Sequence, residues 1–326
     1  MLTAKQNLLE TIKGGSPDRY VNQYEFMEIV VPIPGFKYPA QPGETVVDEW
    51  GITFKWPEGQ IGPFPMHDEK HKLLKDITKW KEVITPPEYS VAEKDWAAAI
   101  EIANGVNRDE QFVAPFLAPG LFEMTHHMMG VEDALLALYE EPEAMHELIA
   151  MLTEQELKRG RLIVERLKPD AIFHHDDWGS QISTFISPDM FKEFFLDPYK
   201  RIYKFWKDNG VEVVVHHSDS YAATLVPFMI EMGVDIWQGV MNTNDIPKLI
   251  QQYGDKITFM GGIDSGEVDF PKWTPKICAD HVARACESCG TKSFIPCQTQ
   301  GGPYSSFPGV YAELSKQIDI MSKKMF

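Results

Sequence analysis

His217 and Asp219 stand two residues apart at the end of the run Val211-Glu-Val-Val-Val-His-His-Ser-Asp219. Cys297 ends a later short run, Ser293-Phe-Ile-Pro-Cys297. β-Branched residues dominate the first run and Asn209-Gly210 precedes it, so it reads as a buried strand. Residues two apart on a strand point to the same side. An imidazole, a carboxylate and a thiolate meeting from two strand ends would give three metal ligands and one open position, the layout of a catalytic zinc site. The same residues fit a plain structural reading. Asp219 is then a helix N-cap, His217 a hydrogen-bonded core histidine and Cys297 a buried apolar thiol. A second polar group, with His174, His175, Asp176 and Asp177, closes the apolar run 171–175. His175, Asp176 and Asp177 are candidates for acid–base work, because such clusters hold shifted pKa values; structural networks shift them too.

The elements that must position these groups follow a simple rhythm. Strand-like runs at 112–118, 171–175, 211–217, 234–240, 257–263 and 293–297 alternate with helical segments, with an earlier strand candidate at 20–27. Ser187-Pro188 opens one helix that runs to Gly210, with Pro198 as a kink. Repeated strand–helix units with short Gly-marked connections imply a parallel sheet with helices outside it. Six or seven units fit a (β/α)8 TIM barrel better than a doubly wound sheet. The polar residues fall at C-terminal strand ends, where barrels carry their chemistry; Asp264 after Gly261-Gly-Ile and Gln298-Thr-Gln300 after Cys297 fall there too. Residues 32–65, rich in Pro, Gly and aromatics, break the rhythm. They read as an irregular insertion with a small hairpin that covers the barrel mouth, or equally as a packed extension without contact to substrate. Residues 1–326 then form a single domain.

Charge and composition narrow the partners. The net charge of −17 argues against nucleic acid and against an anionic membrane surface. No apolar stretch approaches the roughly 20 residues that span a bilayer. The four cysteines cluster late in the chain, unlike a disulfide framework, and residues 1–10 read as a short amphipathic helix rather than a leader, so a cytoplasmic home is expected. Cys286-Glu-Ser-Cys289 sits at the C-terminal end of a helix opened by Thr274-Pro275, the wrong end for a redox pair. In His126-His-Met-Met129, adjacent helical histidines cannot both serve one site, which leaves His127 as the pocket candidate. Neither a GxGxxG nor a GxxxxGK[ST] motif occurs, so nucleotide binding has no support.

Several of these strand-end motifs carry a family likeness. Asp176-Asp-Trp-Gly-Ser-Gln181, Ile186-Ser-Pro-Asp-Met-Phe191, His217-Ser-Asp-Ser220, Glu231-Met-Gly-Val-Asp235 and Gly261-Gly-Ile-Asp264 together resemble the uroporphyrinogen decarboxylase superfamily, over a stretch from residue 112 to the C-terminus. The superfamily holds porphyrinogen decarboxylases and corrinoid-dependent methyltransferases. The decarboxylases carry an arginine-rich N-terminal segment for substrate carboxylates, whereas this chain has Ser16-Pro-Asp-Arg-Tyr20, with one arginine. Gly43-Glu-Thr-Val-Val-Asp-Glu-Trp-Gly51 and Asp76-Ile-Thr-Lys-Trp80 look more like the methyltransferase component of anaerobic O-demethylase systems. That resemblance implies an enzyme moving a methyl group from a methoxylated small molecule, expected to be aromatic, to the cobalt(I) of a separate corrinoid protein. The chain lacks an Asp-x-His-x-x-Gly motif, so the corrinoid is expected on the partner.

The zinc methyltransferases of the superfamily hold their metal with His-x-Cys and a later Cys. His217-Ser-Asp219 lies on the first pattern, with Asp219 replacing a cysteine, and Cys297 lies on the second. The resemblance therefore implies zinc at His217, Asp219 and Cys297. A carboxylate ligand leaves a more Lewis-acidic metal, suited to an ether oxygen. An acid at His175, Asp176 or Asp177 is the alternative means of activating that oxygen. Trp178, Gln181, His127 and Asp264 are the candidate substrate contacts. A homodimer is left open. Two other readings stand beside this one: a metal-free decarboxylase using Asp177 with Arg19 or Tyr304, and a non-catalytic scaffold that binds a corrinoid protein.

Overall fold

The structure is a computed structural model that describes every residue except Phe36, Ile61 and Tyr304. Its strands in chain order are β1 (Met27–Val30), β2 (Thr45–Val47), β3 (Thr53–Lys55), β4 (Phe64–Pro65), β5 (Phe112–Leu117), β6 (Ala171–His175), β7 (Val213–His217), β8 (Ile236–Val240), β9 (Thr258–Ile263) and β10 (Phe294–Gln298). Seven of them form one curled sheet in the order β1-β5-β6-β7-β8-β9-β10. Every neighbouring pair in it is parallel. Parallel neighbours need crossovers, and long helices such as Pro142–Leu167, Asp197–Asp208 and Pro275–Cys289 supply them. The architecture is thus the expected TIM barrel of the (β/α)8 type, with β1 and β10 as the two edges of the ladder. Among the described residues no strand pairs between those edges. The chain at 22–23 crosses beside the seam instead: Asn22 Nδ2 donates to Ser315 O (2.9 Å) and Gln23 Nε2 to Ser315 Oγ (2.8 Å), both on the C-terminal helix Val310–Met325.

Period-two alternation sorts the strand residues into two cores. Phe112, Ala114, Ala171, Phe173, Val213, Val215, Met260, Ile295 and Cys297 pack inside the barrel. Ile172, Val214, Trp237 and Phe259 face outward and pack against the helices. Full burial of each such side chain contributes roughly 1.5–3 kcal/mol. The same alternation splits the histidines. His174 and His216 face outward, both hydrogen-bonded to the hydroxyl of Tyr203 (3.0 and 2.8 Å). His175 and His217 face inward, with stacked rings 4.5 Å apart.

Three expectations are adjusted. The early strand is not 20–27: β1 begins only at Met27, because residues 20–26 are taken up by turns and by the contacts to the C-terminal helix. The helix opened by Ser187-Pro188 is three pieces, Pro188–Phe191, a wide π-helical stretch Lys192–Leu196, and Asp197–Asp208. Pro198 has no N–H to give, and the widened turn precedes it. The insertion holds a three-stranded antiparallel sheet, β2-β3-β4, rather than a single hairpin. It lies on the mouth side, where Phe54 packs edge-on against His127 (5.6 Å) of helix Leu121–Met129, the helix that follows β5.

Gly120 precedes that helix, and its neighbours leave no space. A Cβ there would lie 2.4 Å from Asp176 Cβ and 2.8 Å from the Tyr199 hydroxyl. Gly120→Ala is expected to cost about 1–3 kcal/mol through this overlap, read as a lower urea midpoint at unchanged slope.

Candidate active site

His175 ends β6 and His217 ends β7, paired in register, so both imidazoles meet at the C-terminal end of the barrel. Their Nδ1 atoms are both engaged. His175 Nδ1 lies 2.9 Å from Glu123 Oε2, and His217 Nδ1 makes a short hydrogen bond with Gln238 Oε1 on β8. Gln238 Nε2 in turn donates to Gln298 O (3.2 Å). Each ring is thereby fixed, with Nε2 left for the site. His175 Nε2 lies 3.9 Å from Asp177 Oδ2. His175, Asp177 and His217 offer ligand atoms all within 4.8 Å of one another. Two imidazoles and a carboxylate, each imidazole braced through its other nitrogen, fit a divalent transition metal with positions left open.

The charges of the site are strongly perturbed. Burial alone would lower His175, but Glu123 and then Asp177 outweigh it and raise its pKa to about 10. Burial and the nearby His175 charge push His217 down to about 4. Burial and the adjacent Asp177 push Asp219 up to about 8. In the metal-free protein at neutral pH, His175 therefore carries a proton between two carboxylates, His217 is neutral, and Asp219 retains its proton beside Asp177.

The three expected ligands do not all fall in this cluster. His217 belongs to the cluster, but Asp219 and Cys297 do not. β7 ends at His217, so strand alternation does not extend to Asp219. Asp219 turns its backbone N–H onto Asp177 Oδ1 (2.9 Å) and acts beside the cluster. Cys297 is fully buried, hydrogen-bonded by Tyr24 and Gln238, and burial pushes its thiol up to about 12. In metal-loaded protein, Cys297→Ala is expected to leave the metal-to-chain ratio after dialysis unchanged; loss of metal would return the thiol to the ligand set.

The acid candidates divide in the same way. Asp177 and His175 face the site. Asp176 points into the protein, where Phe122 N (3.1 Å), Glu123 N (2.8 Å), Trp178 Nε1 (2.8 Å) and, at short range, the Tyr199 hydroxyl all donate to it. Burial and the neighbouring Glu123 hold its carboxyl up at about 7 against those donors. It anchors the N-terminus of helix Leu121–Met129 and has no free face for catalysis. Trp178 is likewise wholly buried and stacks on His216 (4.0 Å), so it offers no surface to a substrate. Gln181 sits exposed on a surface bend, and Asp264 N-caps the short helix Ser265–Val268 through Gly266 N (2.9 Å). His127 lies close enough to His175 for their charges to interact, and burial holds it neutral. Of the decarboxylase candidates, Arg19 is tied to Asp18 (2.7 Å), Glu25 (3.7 Å) and Leu2 O (3.0 Å), while Tyr304 lies outside the described residues. Cys286 and Cys289 are buried thiols pushed up to about 12 and 11, inert as expected of that pair.

Glu123 and Gln238 are the site residues that sequence reading missed. Glu123 lies in the first turn of a helix that looks ordinary in sequence. A glutamine inside the apolar run 234–240 was the one available signal, since buried glutamine demands a partner.

A cavity of about 1050 Å³ leads away from the two histidines along the seam between β1 and β10. Phe116 and Phe173 line its inner end beside His175 and His217.

A methyltransferase from Methanosarcina mazei shares this fold, with a TM-score of 0.69 at 15% identity over 98% of this chain and 99% of that one. A B12-independent methionine synthase from Shewanella sp. W3-18-1 gives a TM-score of 0.49 at 16% identity, over 74% of this chain and 70% of that one. No curated protein matches the sequence. No described helix is long and apolar enough to cross a membrane. Residues 45–295 match the uroporphyrinogen decarboxylase (URO-D) model, and the chain belongs to that enzyme family.

Proposed function

We propose that this chain transfers a methyl group from a methoxylated small molecule to the corrinoid of a separate protein. The observation that carries this reading is the braced group of His175, Asp177 and His217 at the strand ends, whose two histidines line a cavity of ligand size. Those three residues would hold zinc, which when bound acts as a Lewis acid toward the ether oxygen. Every other part of the work falls to the chain. Glu123 and Gln238 fix the two rings, so the site does not reorganise during reaction. Asp219 donates its backbone N–H to Asp177 Oδ1 and so helps to hold that carboxylate in place. Phe116 and Phe173 give the inner end an aromatic wall on which a substrate ring can pack. The fold shared with the methyltransferase from Methanosarcina mazei is compatible with this role.

Decarboxylation of a porphyrinogen finds less support. Such substrates bear many carboxylates, and the cavity lining contains neither lysine nor arginine among the described residues. The test is direct. Purified protein is mixed with a methoxyarene and a reduced corrinoid protein, and the corrinoid spectrum is followed. Spectral change to the methylated form is expected. Release of carbon dioxide from a porphyrinogen with no spectral change under any methyl donor would overturn the proposal.

A further inference from the structure

The seam cavity also carries information about which donor it accepts. Its inner end is aromatic: Phe116 and Phe173 stack at 5.8 Å, Tyr24 meets Phe173 edge-on at 6.1 Å, and Phe173 lies 5.7 Å from the His217 ring. Its outer end is acidic. Glu25, Glu28 and Asp319 line it, and no described lysine or arginine does. Arg19 pairs with Glu25 from outside the lining (3.7 Å), which leaves Glu28 and Asp319 without a cationic partner in the cavity wall. A carboxylate entering this space would meet like charge with no compensating cation, while an ammonium group would be attracted by both the carboxylates and the aromatic faces.

From this we infer that the β1–β10 seam is the methyl-donor site, and that it takes neutral or cationic methoxyarenes and rejects those bearing a carboxylate. The inference rests on the proposed methyl transfer but concerns the substrate class. The volume, about 1050 Å³, admits a substituted arene together with water, at the upper end of ordinary ligand sites. The aromatic wall places the ring, the histidines lie where the methoxy oxygen ends, and the para substituent projects toward Glu28.

Three probes of equal size separate the possibilities: para-methoxybenzyl alcohol, para-methoxybenzylammonium and para-methoxybenzoate. Titration calorimetry on the full chain at neutral pH is expected to show binding of the first two, with the benzoate about tenfold weaker or worse, the equivalent of one unfavourable charge interaction. Glu28→Lys should reverse the preference between ammonium and benzoate, and Glu28→Gln should narrow it. Ile29→Trp, which fills the cavity from β1, should weaken all three. Benzoate binding as tight as the alcohol, no binding of any probe, or a Glu28→Lys protein with unchanged order would each overturn the inference. Methyl transfer to a corrinoid protein is measured beside binding. If the probes rank as expected but no methyl moves, the function is wrong and the binding site stands. If methyl moves equally fast from the benzoate, the function stands and the charge selection fails.

Discussion

His217→Ala is expected to remove bound metal and methyl transfer together. Two ligands, His175 and Asp177, would remain, and two rarely hold zinc against dialysis. The transfer rate should fall on the order of 10²–10³-fold, the usual loss when one strong electrostatic interaction at a reacting oxygen is removed. Glu123→Gln separates ligation from bracing. Glu123 touches His175 Nδ1 and lies outside the ligand set, so its loss should weaken metal affinity roughly 10–100-fold without abolishing it. The measurements are metal content by elemental analysis after dialysis and transfer to reduced corrinoid protein, each with and without added zinc. Added zinc should restore Glu123→Gln and leave His217→Ala inactive. A metal-free His217→Ala protein with full activity would sink the metal role, and would move activation of the leaving oxygen to His175 and Asp219 as proton holders.

The barrel was legible in the sequence because its signals are local. Valines at 213 to 215, glycines at 210, 233 and 254, and prolines at 188 and 275 mark strand and helix limits by themselves. The split of the histidines, His175 and His217 inward, is set by alternation within each strand, which is also local. Which candidate ligands lie together was not legible, because it depends on which strand ends come together. That is fixed by the stagger of the barrel, and no single strand encodes it. Cys297 and His217 are both inward and both near a strand end, yet Gln238 stands between them, bonded to both. Asp219 was placed with His217 by extending strand geometry two residues beyond the real end of β7. The seam was invisible for another reason: an unfilled strand position leaves no residue to notice.

The adjacent pair Asp176 and Asp177 offers the cleanest separation of structure from chemistry. In sequence they are indistinguishable. In the fold they face opposite ways, and opposite failures are expected of them. Asp176→Ala would strand four buried donors: two backbone N–H groups at the start of helix Leu121–Met129, the Trp178 indole and the Tyr199 hydroxyl. Unsatisfied buried donors cost about 1–3 kcal/mol each, and partial relaxation brings the sum to about 3–5 kcal/mol. For a chain of this length the melting temperature should fall by roughly 4–7 °C. Asp177 is about a quarter exposed, with a side-chain exposure of 27%, and among the described residues it accepts the backbone N–H of Asp219 and faces His175 Nε2 at 3.9 Å. Asp177→Ala should therefore change stability by less than about 1 kcal/mol while it removes a ligand and the proton partner of Asp219. Thermal melts of both variants, read alongside metal content and transfer, decide the matter. An Asp177→Ala protein that melts early, or an Asp176→Ala protein that stays stable but inactive, would exchange the two roles and place the reacting groups on the outer face of β6.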